Sequence, residues 1–105
     1  MPNTKEFKET IQKRALEDPE FRQGLLTESI ESMLAGDIDT GKSLLRDYIK
    51  ATVGFPALAK EVNQSPKAIM RMFSEGGNPN ASNLFIIIHT LQKHEGINLK
   101  VKATR

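Results

Sequence analysis

Two cations four residues apart, Lys67 and Arg71, carry the most telling chemistry in this 105-residue sequence. Positions i and i+4 share one face of a helix, so both side chains can reach the same partner. An ammonium or guanidinium on such a face donates to guanine O6 and N7 or to phosphate oxygens. Gln64 and Ser65 stand at the entrance to that helix, within reach of a base or a phosphate, although capping is the plainer role for Ser65. Ala68 belongs to the inner row with Ile69, Met72 and Phe73, yet it sits between the two cations and is counted with the contact residues. A second polar group follows the turn Ser74-Glu75-Gly76-Gly77-Asn78-Pro79. There Asn80 caps another helix and Ser82 and Asn83 fall in its first turn, where free N–H groups and the positive dipole end suit a phosphate. Two solvated surface charges are the plain alternative for Lys67 and Arg71, and the surrounding pattern outweighs it.

Chemistry of other kinds finds few residues. The chain has no cysteine, which excludes a disulfide framework, a thiol nucleophile and a cysteine zinc site. His89 and His94 are five apart, not the four that put two ligands on one helical face, and no carboxylate completes a metal triad. Gly76-Gly77 lacks both a preceding strand and the Lys-Ser/Thr of a nucleotide-binding loop. Glu28 and Glu31 read as a solvated helical face. The expectation is a binding protein with no catalytic residues, metal or cofactor.

The elements that must hold these residues are helical. Phe7, Ile11 and Ala15 recur every four residues on a first helix. Asp18-Pro19-Glu20 starts a second, with a capping carboxylate, a proline at the first helical position and an acid in the first turn. Its stripe of Phe21, Leu25, Leu26, Ile30, Met33 and Leu34 stops at Gly36. A third helix begins near Asp39 or Thr40, turns Leu44, Leu45, Tyr48, Ile49, Thr52 and Val53 inward, and ends at Gly54. The run 55–62 is a helix of barely two turns, and Ser65-Pro66 opens the next by the same signal as Asp18-Pro19. Leu84, Phe85, Ile87, Ile88 and Leu91 pack a last helix, leaving Ile86 outside the stripe. Ile97, Leu99 and Val101 alternate with polar residues as a short strand or an extended tail.

Two short helices joined by a tight turn, with small Ala59 where the second packs on the first, form a helix-turn-helix pattern, whose second helix enters the DNA major groove. Ala59, the turn residue Asn63, branched Ile69 and the anchor Phe73 resemble the lambda-repressor-like superfamily. Asn63 replaces the usual turn glycine and tolerates the left-handed conformation. Phe55 replaces the polar residue that commonly starts the first helix and often contacts a phosphate. A narrower resemblance spans about residues 20–102. It rests on Leu45-Arg46-Asp47-Tyr48-Ile49, Gly54-Phe55-x-Ala57-Leu58-Ala59, Met70-Arg71-Met72-Phe73 and Gly77-Asn78-Pro79-x-Ala81-x-Asn83-Leu84-Phe85, and is similar to the addiction-module antidote family. That resemblance implies an antitoxin that neutralises a small, ribosome-dependent mRNA-cleaving toxin and represses their shared operon, usually as a dimer. The alternative is a stand-alone, prophage-type regulator without a toxin.

Charge and length fit this reading. The net charge of +2 divides unevenly: residues 1–39 hold five Lys/Arg against nine acids, residues 40–105 ten against four. The basic part contains the helix-turn-helix and suits operator DNA, and the acidic part suits a basic protein partner or water. No apolar run approaches a membrane span of about 20 residues, and the first residues lack a signal-peptide core, so a cytoplasmic protein is expected. The expected fold is one all-α domain over 1–105, of five to six helices: N-terminal helices over 1–36, the helix-turn-helix core over 37–95, and a C-terminal strand or tail over 96–105.

Overall fold

The computed structural model describes residues 4–105, so the first three residues of the expected N-terminal segment lie outside it. It is all-α. The helices are α1 (Thr4–Glu17), α2 (Pro19–Leu34), α3 (Ile38–Ala51), α4 (Phe55–Glu61), α5 (Pro66–Met72) and α6 (Ala81–Glu95).

The helix boundaries follow local chemistry. Asp18 has an extended backbone, and its carboxylate accepts from the N–H groups of Glu20 and Phe21 at 3.1 and 3.2 Å, with Pro19 opening α2. These are the donors that a helix start leaves without an intrahelical partner. At the far end Gly36 takes a φ of 89°, and the Asp37 N–H donates back to the Ser32 carbonyl at 2.9 Å. Asp37 then caps α3 through the Thr40 N–H at 3.2 Å, so α3 starts at Ile38, earlier than the expected Asp39 or Thr40. It also ends earlier, at Ala51. Thr52 and Val53, expected on its inner face, belong to the turn that Gly54 closes by donating to the Ile49 carbonyl at 2.8 Å with a φ of 80°.

One layer is built from α1, α2 and α3, with α2 and α3 in the most intimate contact. Gly41 sets their separation: a β-carbon there would stand 2.8 Å from the Ser29 carbonyl oxygen and closer still to the Met33 side chain. A Gly41→Ala variant is expected to lose about 1–3 kcal/mol of stability despite the better helix propensity of alanine, because extra volume forces packed backbones apart. A denaturant midpoint unchanged or raised would refute the close approach. The core continues from Leu25, Leu26, Leu45, Tyr48 and Ile49 of this layer into Leu58 of α4, Ile69 of α5, Phe73 just after it, and Ile87 and Leu91 of α6.

Polar ties complete the frame. Arg22 Nε donates to both carboxylate oxygens of Glu95 at 2.8 and 2.9 Å, and its Nη1 donates to the Ala15 carbonyl at 3.0 Å. The Tyr48 hydroxyl donates to the same carboxylate. Four helices therefore meet at one buried carboxylate, and the cation also answers the negative end of the α1 dipole.

Three apolar expectations are overturned. Phe7 is 58% exposed, Leu34 69% and Phe85 66%. On α1 Ile11 packs against the core, whereas Phe7, one turn earlier, is left exposed. The principal helix contact of α6 is with α4, so only the narrow strip Leu84, Ile87, Ile88 and Leu91 is covered, and Phe85 and Ile86 face outward together. Of the strand or tail expected at the C-terminus, the structure has the tail. Residues 97–105 have no regular secondary structure, there is no strand among the described residues, and Val101 is 85% exposed. Gly96 ends α6 in the left-handed region, Ile97 and Leu99 pack on the core, and the Leu99 N–H donates to the Gln92 side chain at 2.8 Å. With no strand among the described residues to pair with, the Leu99 N–H is satisfied by that side chain in place of a ladder bond.

Candidate nucleic-acid interface

The turn between α4 and α5 has the backbone expected of it. Asn63 has a φ of 57° and is the sole non-glycine residue with positive φ among those described. The Gln64 N–H donates to the Ala59 carbonyl at 2.9 Å, closing α4 beneath a buried Ala59. A side-chain amide makes the left-handed region tolerable for asparagine. Ser65 Oγ then accepts from the Ala68 N–H at 3.1 Å, and Pro66 opens α5. Ser65 is therefore a cap, with its hydroxyl at the exposed end of the helix. Ile69 and Phe73 fix α5 to the core, being 0% and 1% exposed. The Phe73 ring lies tilted at 48° to that of Phe55, 6.5 Å between centroids.

With that row buried, Lys67, Met70 and Arg71 face outward and Ala68 is half-buried. Arg71 stands on a ridge between two open grooves. On one side it meets Ala68, Met72 and the turn Gly76–Asn78. On the other it joins Lys67, Met70 and Ser74 of the α5 region with Phe55 and, from α3, Arg46 and Lys50, around a cleft of about 450 Å³.

The second group is brought to the first by one hydrogen bond. Asn80 caps α6 by accepting from the Asn83 N–H at 2.8 Å, and the Asn83 side-chain oxygen accepts from Gln64 Nε2 at 3.1 Å. Gln64 and Asn83 thus join the α5 entrance to the α6 entrance, each engaging the other. Asn80 and Ser82 are exposed beside them.

Lys42, Arg46 and Lys50 were not singled out by the sequence. Lys42 is 4% exposed, and its ammonium donates to the carbonyls of Ser74 (3.4 Å) and Gly77, holding the turn after α5 against α3. Arg46 Nη1 makes a long contact of 3.5 Å to the Phe73 carbonyl, and its Nε has no hydrogen-bond partner among the described residues. The one available signal was their helical spacing: 42, 46 and 50 recur every four residues and form a basic edge on α3.

The two histidines separate. His89 is exposed, and His94 pairs with Glu61 across α6 and α4. No group of three or more His, Cys, Asp or Glu among the described residues could hold a metal ion, and no helix is long and apolar enough to cross a membrane. No protein-family model, curated protein or solved structure matches the chain.

Proposed function

We propose that the chain is a sequence-specific DNA-binding transcriptional repressor of the helix-turn-helix class, acting as a binding protein without catalysis. Within that class the reading is an antitoxin that neutralises a small mRNA-cleaving toxin and represses the operon encoding both. The observation that carries the DNA reading is the presentation of Lys67 and Arg71. Both are exposed on a short helix that is entered through a left-handed Asn63 and pinned from behind by Ile69 and Phe73. A helix held this way offers two cationic donors to base edges and phosphates at once. Ser65, Asn80, Ser82 and the joined pair Gln64–Asn83 then orient the protein on the flanking backbone, with half-buried Ala68 in the groove beside Arg71.

Two copies are part of the mechanism. One chain neutralises few phosphates, so useful affinity at physiological salt calls for a homodimer on a palindrome, with half-sites about 34 Å apart. Phe85 and Ile86, exposed side by side on α6, supply apolar surface for such an association. The antitoxin reading rests on the family resemblance and on the acidic excess of residues 1–39, five Lys/Arg against nine acids, which suits a basic toxin.

An Arg71→Ala protein is expected to keep its fold and to lose about 1–3 kcal/mol of affinity for a duplex taken from upstream of its own coding sequence. Fluorescence anisotropy measures that loss, and circular dichroism checks the fold. Undiminished binding by the folded variant would remove α5 from the DNA interface. Co-purification with the small basic protein encoded next to it supports the antitoxin reading. A neighbourhood without such a gene turns the reading to a stand-alone regulator.

A further inference from the structure

We infer that the cleft between α3 and α5 is a second DNA contact, in which Arg46 and Lys50 hold a backbone phosphate beside the helix that presents Lys67 and Arg71. The inference deepens the DNA-binding reading and rests on it.

The cleft brings four cations together from helices far apart in sequence, Arg46 and Lys50 from α3 and Lys67 and Arg71 from α5, and no carboxylate lines it. Asp39 and Glu75 line the adjoining cleft on the other side of Arg46, and Glu75 also lines the groove on the far side of Arg71. None of the four cations takes part in an ion pair among the described residues, where the paired cations are Arg22, Lys42 and His94. Four like charges around one groove repel one another, and no carboxylate in the cleft lining offsets them. A bound anion removes that repulsion. Arg46 is the most exposed to this argument: the residue is half-buried, and the one hydrogen bond that holds its guanidinium among the described residues, from Nη1 to the Phe73 carbonyl, is long at 3.5 Å.

Geometry selects a backbone phosphate as that anion. The major groove is about 12 Å wide, so a helix lying in it has a phosphate strand on either side. On one side of α5, the Gln64–Asn83 bond places the α6 entrance with Asn80 and Ser82. On the α3 side the first residue of α4 is Phe55, which is 5% exposed and has no hydrogen-bonding side chain to offer. Arg46 and Lys50 line the same cleft as Phe55 and furnish the cations that this flank otherwise lacks.

The test measures affinity of the full-length protein for two duplexes, its own upstream sequence and a scrambled one, between 50 and 300 mM KCl. Wild type, Lys50→Gln, Arg46→Gln and Lys50→Arg are compared. Each phosphate contact contributes about 0.9 to the slope of log K against log salt. Lys50→Gln and Arg46→Gln are each expected to flatten the slope by about 1 per chain and to weaken binding to both duplexes by about tenfold at 0.1 M salt. The ratio between the two duplexes is expected to hold, since phosphate contacts carry no sequence information. Lys50→Arg is expected to retain the wild-type slope. Lys50 is exposed, so its substitution leaves the fold intact and keeps the test decisive. Wild-type binding with an unchanged slope in Lys50→Gln overturns the second contact and leaves the DNA-binding reading standing. Absence of salt-dependent binding by the wild type to either duplex overturns both.

Discussion

Removing the carboxylate of Glu95 is expected to cost about 3 kcal/mol at neutral pH, since breaking one side of a buried pair strands the other charge. The side chain is 4% exposed and accepts from Arg22 and Tyr48, while Arg22 also holds the end of α1. Burial pushes the Glu95 carboxyl up, but the Arg22 guanidinium and the Tyr48 hydroxyl outweigh it and hold the group below its ordinary range. Because the folded value is depressed, this stabilisation is complete above the unfolded carboxylate pKa of about 4.3 and disappears as pH falls through the folded value. The Tyr48 phenol is displaced the other way, raised by burial and then by its bond to Glu95. Its contribution is complete below the unfolded tyrosine pKa of about 10 and disappears as pH rises past it. Urea titrations of wild type and Glu95→Gln at pH 7, 4 and 3 check the acid limb. The two stability curves should converge as the medium becomes acidic. Parallel curves would show that the carboxylate's charge does not hold the four helices together.

Phe73→Ala is expected to cost still more, about 3–5 kcal/mol, in the range for emptying an aromatic site in a packed core. The ring is 1% exposed and in tilted contact with Phe55, an arrangement worth something beyond area alone. Phe55 cannot follow it into the void, because Phe55 begins α4 directly after the positive-φ Gly54. The damage falls on the two short helices, since Phe73 is the last anchor of α5. A drop of this size in a denaturant titration, with loss of DNA binding at temperatures where wild type is folded, is the expected outcome. A loss under 1 kcal/mol would mean that α5 is held chiefly by its turn.

Much of the frame is legible in the sequence because helix ends are local chemistry. Asp18-Pro19, Ser65-Pro66 and Asn80 announce their helices through donors and acceptors within three residues, and each cap is formed. Asn63 in a tight turn likewise states its own φ. What depends on distant partners is not legible. Arg22 and Glu95 are 73 residues apart, and nothing near either marks them as a pair. Lys42 looks like a surface lysine until α3 and the turn after α5 are brought together. Periodicity gives the direction of an apolar stripe but neither its width nor its length: Phe85 lies beside the strip of α6 that is covered, and Phe7 and Leu34 lie towards the ends of theirs. In the candidate interface, Lys67 and Arg71 were legible from i, i+4 spacing on a helix with an obvious buried row. Arg46 and Lys50 required knowing which face of α3 flanks α5.

The ammonium of Lys42, tied to the carbonyls of Ser74 and Gly77, has a consequence for the timescale on which α5 exists. A helix of seven residues is far below the length of about 12–15 at which an isolated helix holds in water. Its order is therefore borrowed, from Ser65 at one end and, through this lysine and the Phe73 ring, from α3 and α4 at the other. Fraying from the C-terminal end, the usual low-energy opening of a short helix, must first break a contact to a longer, buried one. α5 and the scaffold behind it are then expected to open and close as one cooperative unit, so that under the proposed DNA-binding role Lys67 and Arg71 stand in place before any duplex is met, without an ordering step on contact.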